Sequence, residues 1–163
     1  MNLGKKTGWH YSDAKYGIGD LVSSYDNWPG LDPSLHAAER IVRSSHPDGV
    51  RIRSNAVYLW ENEEVARRIW AAAGKAKKAK KYLYTVEYGQ SDILHRGDLN
   101  HYTSVQEGDL YAQVAAAESY WAGSLYGEQQ ARVEVLVRSA TVIAAESYSV
   151  PLPETWSDAD LPF

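Results

Sequence analysis

The chain has 163 residues, of which 44% are hydrophobic, and a formal net charge of −4. These values predict one domain, residues 1–163, with a core of its own. The negative charge disfavours strong general binding to nucleic-acid phosphates, and the absence of cysteine excludes disulfides and thiolate metal sites. Because no segment has the character of a signal peptide or a membrane span, the sequence predicts a cytoplasmic protein without membrane contacts.

In the first half of the chain, strand patterns alternate with helical ones. Asp32 and Pro33 have the residue types of a helix N-cap and first turn. Asn62, followed by two glutamates, predicts the start of a second helix. The predicted elements are a strand at 8–12, a helix after Asp32, a turn at 46–49, a strand at 56–60 and a helix at 62–73.

The second half continues the mixed pattern after a lysine cluster at 75–81, which we interpret as a solvated connection. Asp109 is the predicted cap of the third helix. In total we expect an α+β fold with four to six short strands and about three helices. The predicted elements are a strand at 82–88, a polar turn segment at 92–103, a helix at 110–120, a loop at 121–130, strands at 132–138 and 141–145, and an irregular tail at 151–163.

Glu134 is the residue in this pattern that most needs an explanation. It lies within Arg-Val-Glu-Val-Leu-Val-Arg, residues 132–138, a β-branched apolar run with the composition of a buried strand. A carboxylate in such a strand must be paired, neutralised or turned into a polar cleft. Two interpretations are open: Glu134 is a surface group on an edge strand, or it belongs to a functional site.

Four segments, taken in order, resemble the NAD-dependent ADP-ribosyltransferases. Residues 8–12 and the turn at 18–21 look like the first strand and turn of that superfamily, especially of the rifampin ADP-ribosyltransferases. The strand at 56–60 with its alanine-rich helix is similar to the second motif, and 82–87 resembles the next strand. Residues 134–137 are similar to the strand that carries the superfamily's glutamate. The resemblance implies a split mixed or antiparallel β-sheet core.

The resemblance also implies an enzyme that transfers ADP-ribose from NAD to a protein, nucleic-acid or small-molecule acceptor, as toxins and resistance factors do. Cleavage of the nicotinamide–ribose bond leaves an oxocarbenium-like sugar, and a fixed carboxylate stabilises the charge that develops in the transition state. The resemblance assigns this catalytic role to Glu134. NAD is then a substrate, and no metal is expected.

The NAD contacts that the resemblance implies come from the first two motifs. His10 would donate a hydrogen bond to a ribose hydroxyl, and the backbone of Tyr11 and Ser12 would hold the nicotinamide amide. Tyr58 offers a flat face for the nicotinamide ring, with Trp70 as a second wall. In the segment 118–130 before the Glu134 strand, the residues that would face the acceptor are Tyr120, Trp121 and Tyr126.

Asp98 competes with Glu134 for the catalytic role. The rifampin-modifying relatives use an aspartate soon after the third strand, and Asp98 is the nearest equivalent. We prefer Glu134, because its strand is similar to the wider superfamily, including DNA-modifying toxins, and because turn-forming residues account for Asp98. Two other functions stay open: a catalytically silent binding or inhibitor protein, and RNA 2′-phosphotransferase chemistry that consumes NAD. The latter needs basic residues, and the candidates are Arg43, Arg51, Arg53 and the lysine cluster.

Overall fold

A computed structural model describes residues 4–75 and 80–147 of the chain. The described residues form an α+β fold, as the sequence predicts, with a seven-stranded antiparallel sheet and five α-helices. The predicted tail and residues 76–79 of the lysine cluster lie outside the described residues. The strands are β1 (Lys5–Ser12), β2 (Leu21–Val22), β3 (Val57–Trp60), β4 (Tyr82–Gly89), β5 (Ile93–Asp98), β6 (Val133–Val137) and β7 (Ala140–Ser147). The helices are α1 (His36–Ser44), α2 (Gly49–Arg53), α3 (Glu63–Lys75), α4 (Leu99–Ser104) and α5 (Leu110–Ala122).

The sheet is nearly divided between β1 and β3. Its strand order is β2-β7-β4-β1-β3-β6-β5, and neighbouring strands are antiparallel. β1 pairs with β4 along its whole length but with β3 only at Trp9 and Trp60. The half-sheets β2-β7-β4-β1 and β3-β6-β5 therefore meet through a single residue pair. Tyr25 bridges to Ala56, so the chain after β2 runs along the start of β3.

β6, which carries Glu134, is an inner strand between β3 and β5, and all its residues are buried. The edge-strand interpretation of Glu134 is therefore wrong. Because side chains alternate along a strand, Val133, Val135 and Val137 share one face, where they belong to the main hydrophobic core. Glu134 and Leu136 share the other face, and Leu136 packs there against residues of α2 and its neighbours.

Capping side chains fix the starts of two predicted helices. Asn62 accepts a hydrogen bond from the Val65 amide at 3.0 Å before α3, and Asp109 accepts one from the Ala112 amide at 2.8 Å before α5. α5 ends at Gly123, whose φ of +75° is a left-handed conformation that favours glycine. None of the helices in the described part of the chain has the length and apolar character needed to cross a bilayer.

The segment 92–103, predicted as a polar turn, contains all of β5 and most of α4 instead. β5 is one of the two outer strands of the sheet, and it lacks a regular apolar alternation. Gly97 is required in this strand, because a Cβ there would lie 2.6 Å from the Tyr120 ring. α4 begins at Asp98, whose side chain accepts from the Asn100 amide at 3.0 Å.

The predicted counts of four to six strands and about three helices are too low for the described residues, which form seven strands and, with α2 and α4, five α-helices. α2 and α4 have five and six residues, too short for an amphipathic pattern to stand out, and such helices depend on tertiary packing. α5 extends through Ala122, so Trp121 belongs to the helix with Tyr120 and not to the start of a loop. Their side chains consequently face the helical part of the core.

Candidate functional site

A buried arginine between two buried glutamates forms the polar centre of the molecule. Arg53 at the end of α2 is 2% exposed, Glu39 of α1 is 0% exposed and Glu134 of β6 is 7% exposed. The Arg53 guanidinium contacts Glu39 through Nε–Oε1 at 2.6 Å and Nη2–Oε2 at 3.2 Å. It contacts Glu134 through Nη1–Oε1 at 2.8 Å. Buried charges require partners, and one cation here serves both carboxylates.

Two tyrosine hydroxyls complete this buried cluster. Tyr120 accepts a hydrogen bond from Arg53 Nη1 at 2.7 Å and donates one to Oε1 of Glu134. Tyr102 donates to Oε2 of Glu39 at 2.5 Å. Aromatic faces near a guanidinium add cation–π attraction. The rings whose centroids lie 5.4–5.6 Å from the Arg53 Cζ atom are those of Tyr58, Tyr102 and Tyr120.

The surroundings favour the charged states of Glu39 and Arg53 and the neutral state of Tyr120. Burial alone would raise the pKa of Glu39, but the charge of Arg53 and the hydrogen bonds it receives hold that pKa below its ordinary value. Burial opposes the charge on Arg53 as well, yet Tyr120 and the two glutamates raise its pKa. Burial raises the pKa of Tyr120, so its hydroxyl stays protonated and can donate.

We expect Glu39 to make the stability of the protein sensitive to acid. A carboxylate with a lowered pKa in the folded state stabilises the fold above its unfolded pKa of about 4.3, and the stabilisation is lost as the pH falls through the folded value. The melting temperature of Glu39→Gln should therefore fall less between about pH 7 and about pH 3 than that of the wild type. The exposed Glu107→Gln variant should follow the wild type. Equal pH profiles for all three proteins would contradict the role of this ion pair.

Glu134 also borders an open cavity of about 210 Å³. Within the described residues, the hydrogen bonds to this carboxylate from Arg53 and Tyr120 both end on Oε1. Oε2 accepts neither of these hydrogen bonds and is the oxygen left for a ligand in the cavity. The other residues that line this Glu134 cavity are Asn27, Leu31, Leu35, Arg53, Trp60, Leu99, Tyr102, Thr103, Gln106 and Arg132.

His10 lies where the two half-sheets separate. It is 3% exposed, and its Nδ1 is 2.9 Å from the carbonyl oxygen of Tyr58. A carbonyl only accepts, so Nδ1 carries the proton and the neutral ring has Nε2 as an acceptor. Burial lowers the pKa of His10, against the effect of this hydrogen bond, and so favours the neutral ring at pH 7. A hydroxyl group would thus donate to His10, the reverse of the predicted direction.

A chain of aromatic contacts links His10 to the buried cluster. The Tyr25 ring centroid is 6.1 Å from that of His10 and 5.3 Å from that of Tyr58. Tyr58 in turn donates its hydroxyl proton to the Arg53 carbonyl and packs against the Arg53 guanidinium. Burial, followed by the nearby charge of Glu134, raises the pKa of Tyr25. The predicted trio His10, Tyr58 and Glu134 therefore lies around one region of the sheet.

This region is not one continuous groove. A second cavity, of about 290 Å³, lies beside His10 and is lined also by Tyr11, Ser12, Tyr25 and Lys80. It shares no lining residue with the Glu134 cavity. The rings of Tyr25 and Tyr58 belong to the chain of aromatic contacts that links His10, beside one cavity, to the buried cluster, beside the other.

Two of the other residues predicted to contact NAD, Tyr11 and Trp70, use their side chains in hydrogen bonds within the protein. Tyr11 donates its hydroxyl proton to the Ala66 carbonyl of α3, and its backbone stays beside Ser12 at the His10 cavity. Trp70 is 8% exposed, and its Nε1 donates to the Lys80 carbonyl at 2.9 Å. Because Trp70 borders neither the His10 cavity nor the Glu134 cavity, it does not form a second wall for nicotinamide in this conformation.

Two of the three residues predicted to contact the acceptor belong to α5 and form contacts within the fold. Tyr120 is 0% exposed and belongs to the buried cluster. Trp121 donates its Nε1 proton to the Val42 carbonyl at 2.6 Å and stacks on His46 with 4.7 Å between ring centroids. Tyr120 therefore cannot contact an acceptor in this conformation, whereas Trp121 is half-buried and its indole N–H is engaged with α1. Tyr126 is half-buried and stays open to that role.

Asp98 has a structural position. It is 1% exposed, and its Oδ1 accepts from the amides of Asn100 at 3.0 Å and Arg132 at 3.1 Å. Its Oδ2 accepts from the Tyr126 amide at 3.1 Å. Both oxygens thus cap backbone groups at the start of α4 and before β6. Glu134, which borders a cavity, is the better candidate for a catalytic acid.

No protein-family model matches the sequence, and no curated protein shows significant similarity to it. Function must therefore be argued from the chemistry of the residues and from their arrangement.

Several residues of the buried cluster were not predicted as a site. The sequence does indicate that Glu39 is buried. It lies four residues after Leu35 and three before Val42, and both of these are predicted for the buried face of the helix. A carboxylate on that face needs a partner, as Glu134 does. The local sequence gives no such indication for Arg53, because nothing in it shows that the end of α2 enters the core.

Proposed function

We propose that the protein is an NAD-dependent mono-ADP-ribosyltransferase in which Glu134 stabilises an oxocarbenium-like ribose. The proposal rests on one observation above all. The sheet opens between β1 and β3 at the place where His10 contacts Tyr58, and Glu134 borders a cavity one strand further on. This arrangement agrees with the split sheet and the ordered motifs of the ADP-ribosyltransferases, which the sequence resembles.

The size of NAD sets a condition on this proposal. Pockets for small molecules have volumes of about 300–1,000 Å³, and the two cavities, of about 290 Å³ and about 210 Å³, are each too small for a dinucleotide. Together they reach the required range. NAD would therefore span both cavities, and the Tyr25 ring would have to move away from Tyr58 to join them.

The residues around the opening suit the first step of transfer. Nε2 of His10 would accept a hydrogen bond from a ribose hydroxyl, and the half-buried Tyr58 ring would offer a face to nicotinamide. As the glycosidic bond breaks, its electron pair leaves with nicotinamide. Positive charge then develops on the ribose, where the Glu134 carboxylate stabilises it. A lone pair of the acceptor attacks the ribose carbon, and the acceptor proton passes to solvent.

Arg53 and Tyr120 would act by positioning Glu134. They hold Oε1 with two donors and leave Oε2 toward the cavity. A carboxylate fixed in this way needs no reorganisation as charge develops, which is the main source of electrostatic catalysis.

The arginines that RNA 2′-phosphotransferase chemistry would need are engaged elsewhere. Arg43 pairs with Glu39 and Asp26, Arg51 pairs with Asp48, and Arg53 lies in the buried cluster. These contacts weigh against that alternative. A catalytically silent binding protein is the remaining alternative, and in it the buried cluster would serve stability alone.

Release of nicotinamide from NAD tests the proposed function. We expect the wild type to release nicotinamide, faster with a suitable acceptor, and His10→Ala to be slower by at least about tenfold, because a hydrogen bond to the ribose is lost. His101→Ala is the matched control. That histidine bonds the Ser124 carbonyl at 3.0 Å, borders neither cavity and should leave the rate unchanged.

Two results would count against the enzyme. One is the absence of nicotinamide release with water, proteins, nucleic acids and small aromatic drugs as acceptors. The other is a His10→Ala variant as active as the wild type. Mass spectrometry of the acceptors after incubation with NAD would locate the added ADP-ribosyl group.

A further inference from the structure

Arg132 is a fixed cation on the wall of the Glu134 cavity. Its Nε donates to Oδ1 of Asn100 at 2.8 Å, and its Nη2 donates to Oγ1 of Thr103 at 2.7 Å and to the Leu99 carbonyl at 3.3 Å. All three acceptors are neutral. They orient the guanidinium plane without compensating its charge, so Nη1 remains to meet a ligand.

The carboxylates near Arg132 already have other partners. Asp98 accepts three backbone hydrogen bonds, and Glu134 is held by Arg53 and Tyr120. Within residues 4–75 and 80–147, no carboxylate oxygen forms an ion pair with Arg132. A half-buried arginine with no anionic partner is uncommon, because burial penalises its charge.

The electrostatic setting of Arg132 agrees with this geometry. Burial lowers its pKa from the ordinary value, Asp98 acts in the opposite direction, and Arg68 lowers it further. A guanidinium nevertheless stays protonated at any physiological pH. Its charge is therefore available to an anion that enters the cavity.

A second group in the cavity also presents donors. Oδ1 of Asn27 accepts from Arg43 Nη2 at 2.9 Å, and an arginine can only donate. This contact fixes the orientation of the amide, so Nδ2 of Asn27 has its two protons for other acceptors. The cavity volume of about 210 Å³ equals the space of about seven water molecules at about 30 Å³ each, which is sufficient for a phosphate group.

We propose that Arg132, with the Asn27 amide, forms a phosphate-binding subsite of the Glu134 cavity. The two protons of Arg132 Nη1 are left for phosphate oxygens, which they bind through charge-assisted hydrogen bonds. The phosphate belongs either to the diphosphate of NAD or to an acceptor. Its part in ADP-ribose transfer rests on the proposed function, whereas anion binding itself does not.

Isothermal titration with inorganic pyrophosphate at low ionic strength tests the subsite without NAD. We expect the wild type to bind pyrophosphate and Arg132→Gln to bind it at least about tenfold more weakly. Arg138→Gln is the matched control, since Arg138 is exposed, its side chain donates to the Ser91 carbonyl at 3.1 Å, and it lies outside the cavity. Absence of pyrophosphate binding to the wild type at millimolar concentration, or equal binding to Arg132→Gln, would overturn the proposal.

Arg132→Lys keeps the test valid if loss of the Asn100 and Thr103 contacts unfolds Arg132→Gln. Lysine retains the positive charge. The affinity of Arg132→Lys for pyrophosphate should therefore lie within a few-fold of that of the wild type and fall steeply with added salt. An affinity that is insensitive to salt would overturn the proposal.

Titration with NAD and with nicotinamide riboside then identifies the source of the phosphate. If the subsite takes the NAD diphosphate, Arg132→Gln weakens the binding of NAD by the same factor as the binding of pyrophosphate. The affinity for nicotinamide riboside then stays unchanged. If it takes an acceptor phosphate, only pyrophosphate binding changes. Pyrophosphate binding by a protein that never binds NAD would uphold the subsite while removing the proposed function.

Discussion

Replacing Arg53 with methionine is expected to lower the free energy of unfolding by about 3–5 kcal/mol. The variant leaves Glu39 and Glu134, which are 0% and 7% exposed, without their shared cation. Methionine fills much of the same volume, so the loss measures uncompensated charge more than an empty space. For a chain of this length, the melting temperature should fall by on the order of 10 °C.

Arg51→Met is the control for this prediction. Arg51 lies two residues earlier in α2, its side chain is 65% exposed, and it pairs with Asp48 at the surface. Exposed ion pairs contribute about 0–1 kcal/mol, so this variant should melt close to the wild type. Urea unfolding of the two variants in parallel gives the comparison. A similar loss in both, or no loss in Arg53→Met, would contradict the assignment of Arg53 as the centre of the buried cluster.

The second large effect is expected on activity. Glu134→Gln should slow nicotinamide release from NAD by at least about 100-fold, because the amide cannot stabilise positive charge on the ribose as the carboxylate does. Stability should change far less than in Arg53→Met. The amide oxygen still accepts from Arg53 and Tyr120, and Arg53 keeps its pair with Glu39.

Asp98→Asn separates the two acids that the sequence offers. Asp98 caps three backbone amides and borders neither cavity, so we expect near-normal rates of nicotinamide release once the fold is intact. Activity should be measured on folded protein, checked by circular dichroism and by the melting transition. A large loss in Asp98→Asn together with normal rates in Glu134→Gln would exchange the roles that we assign to them.

The sequence predicts the strands that carry the candidate site with good accuracy. The β-branched run around Glu134 predicts β6, and the apolar run that follows it predicts β7. The alternating segment from Tyr82 predicts β4. The caps at Asn62 and Asp109 are confirmed as well. These features depend on local patterns of a few residues, which a single sequence contains in full.

Tertiary contacts explain what the sequence could not predict. α2 and α4 are short, and β5 includes Gly97 because the Tyr120 ring, 23 residues away, packs against it. Arg53 and Glu134 are 81 residues apart, so their ion pair has no signature in either local segment. A buried carboxylate indicates that a partner must exist, but it does not indicate which residue that partner is.

For the site itself, the predicted residues divide into two groups. His10, Tyr58 and Glu134 lie around the opening of the sheet. Tyr120 and Trp121 were assigned to the acceptor side from their aromatic character, yet both lie on α5 and pack against the core. Aromatic side chains near a loop satisfy either role, and only packing decides between them.

The central claim is that one NAD molecule spans the His10 cavity and the Glu134 cavity. A crystal structure of Glu134→Gln with NAD tests it most directly, because the slowed variant preserves the intact dinucleotide. We predict electron density across both cavities, with the nicotinamide ribose within hydrogen-bonding distance of His10 and of position 134, and with the Tyr25 ring moved away from Tyr58. Density elsewhere on the molecule, or none at saturating NAD, would contradict the account.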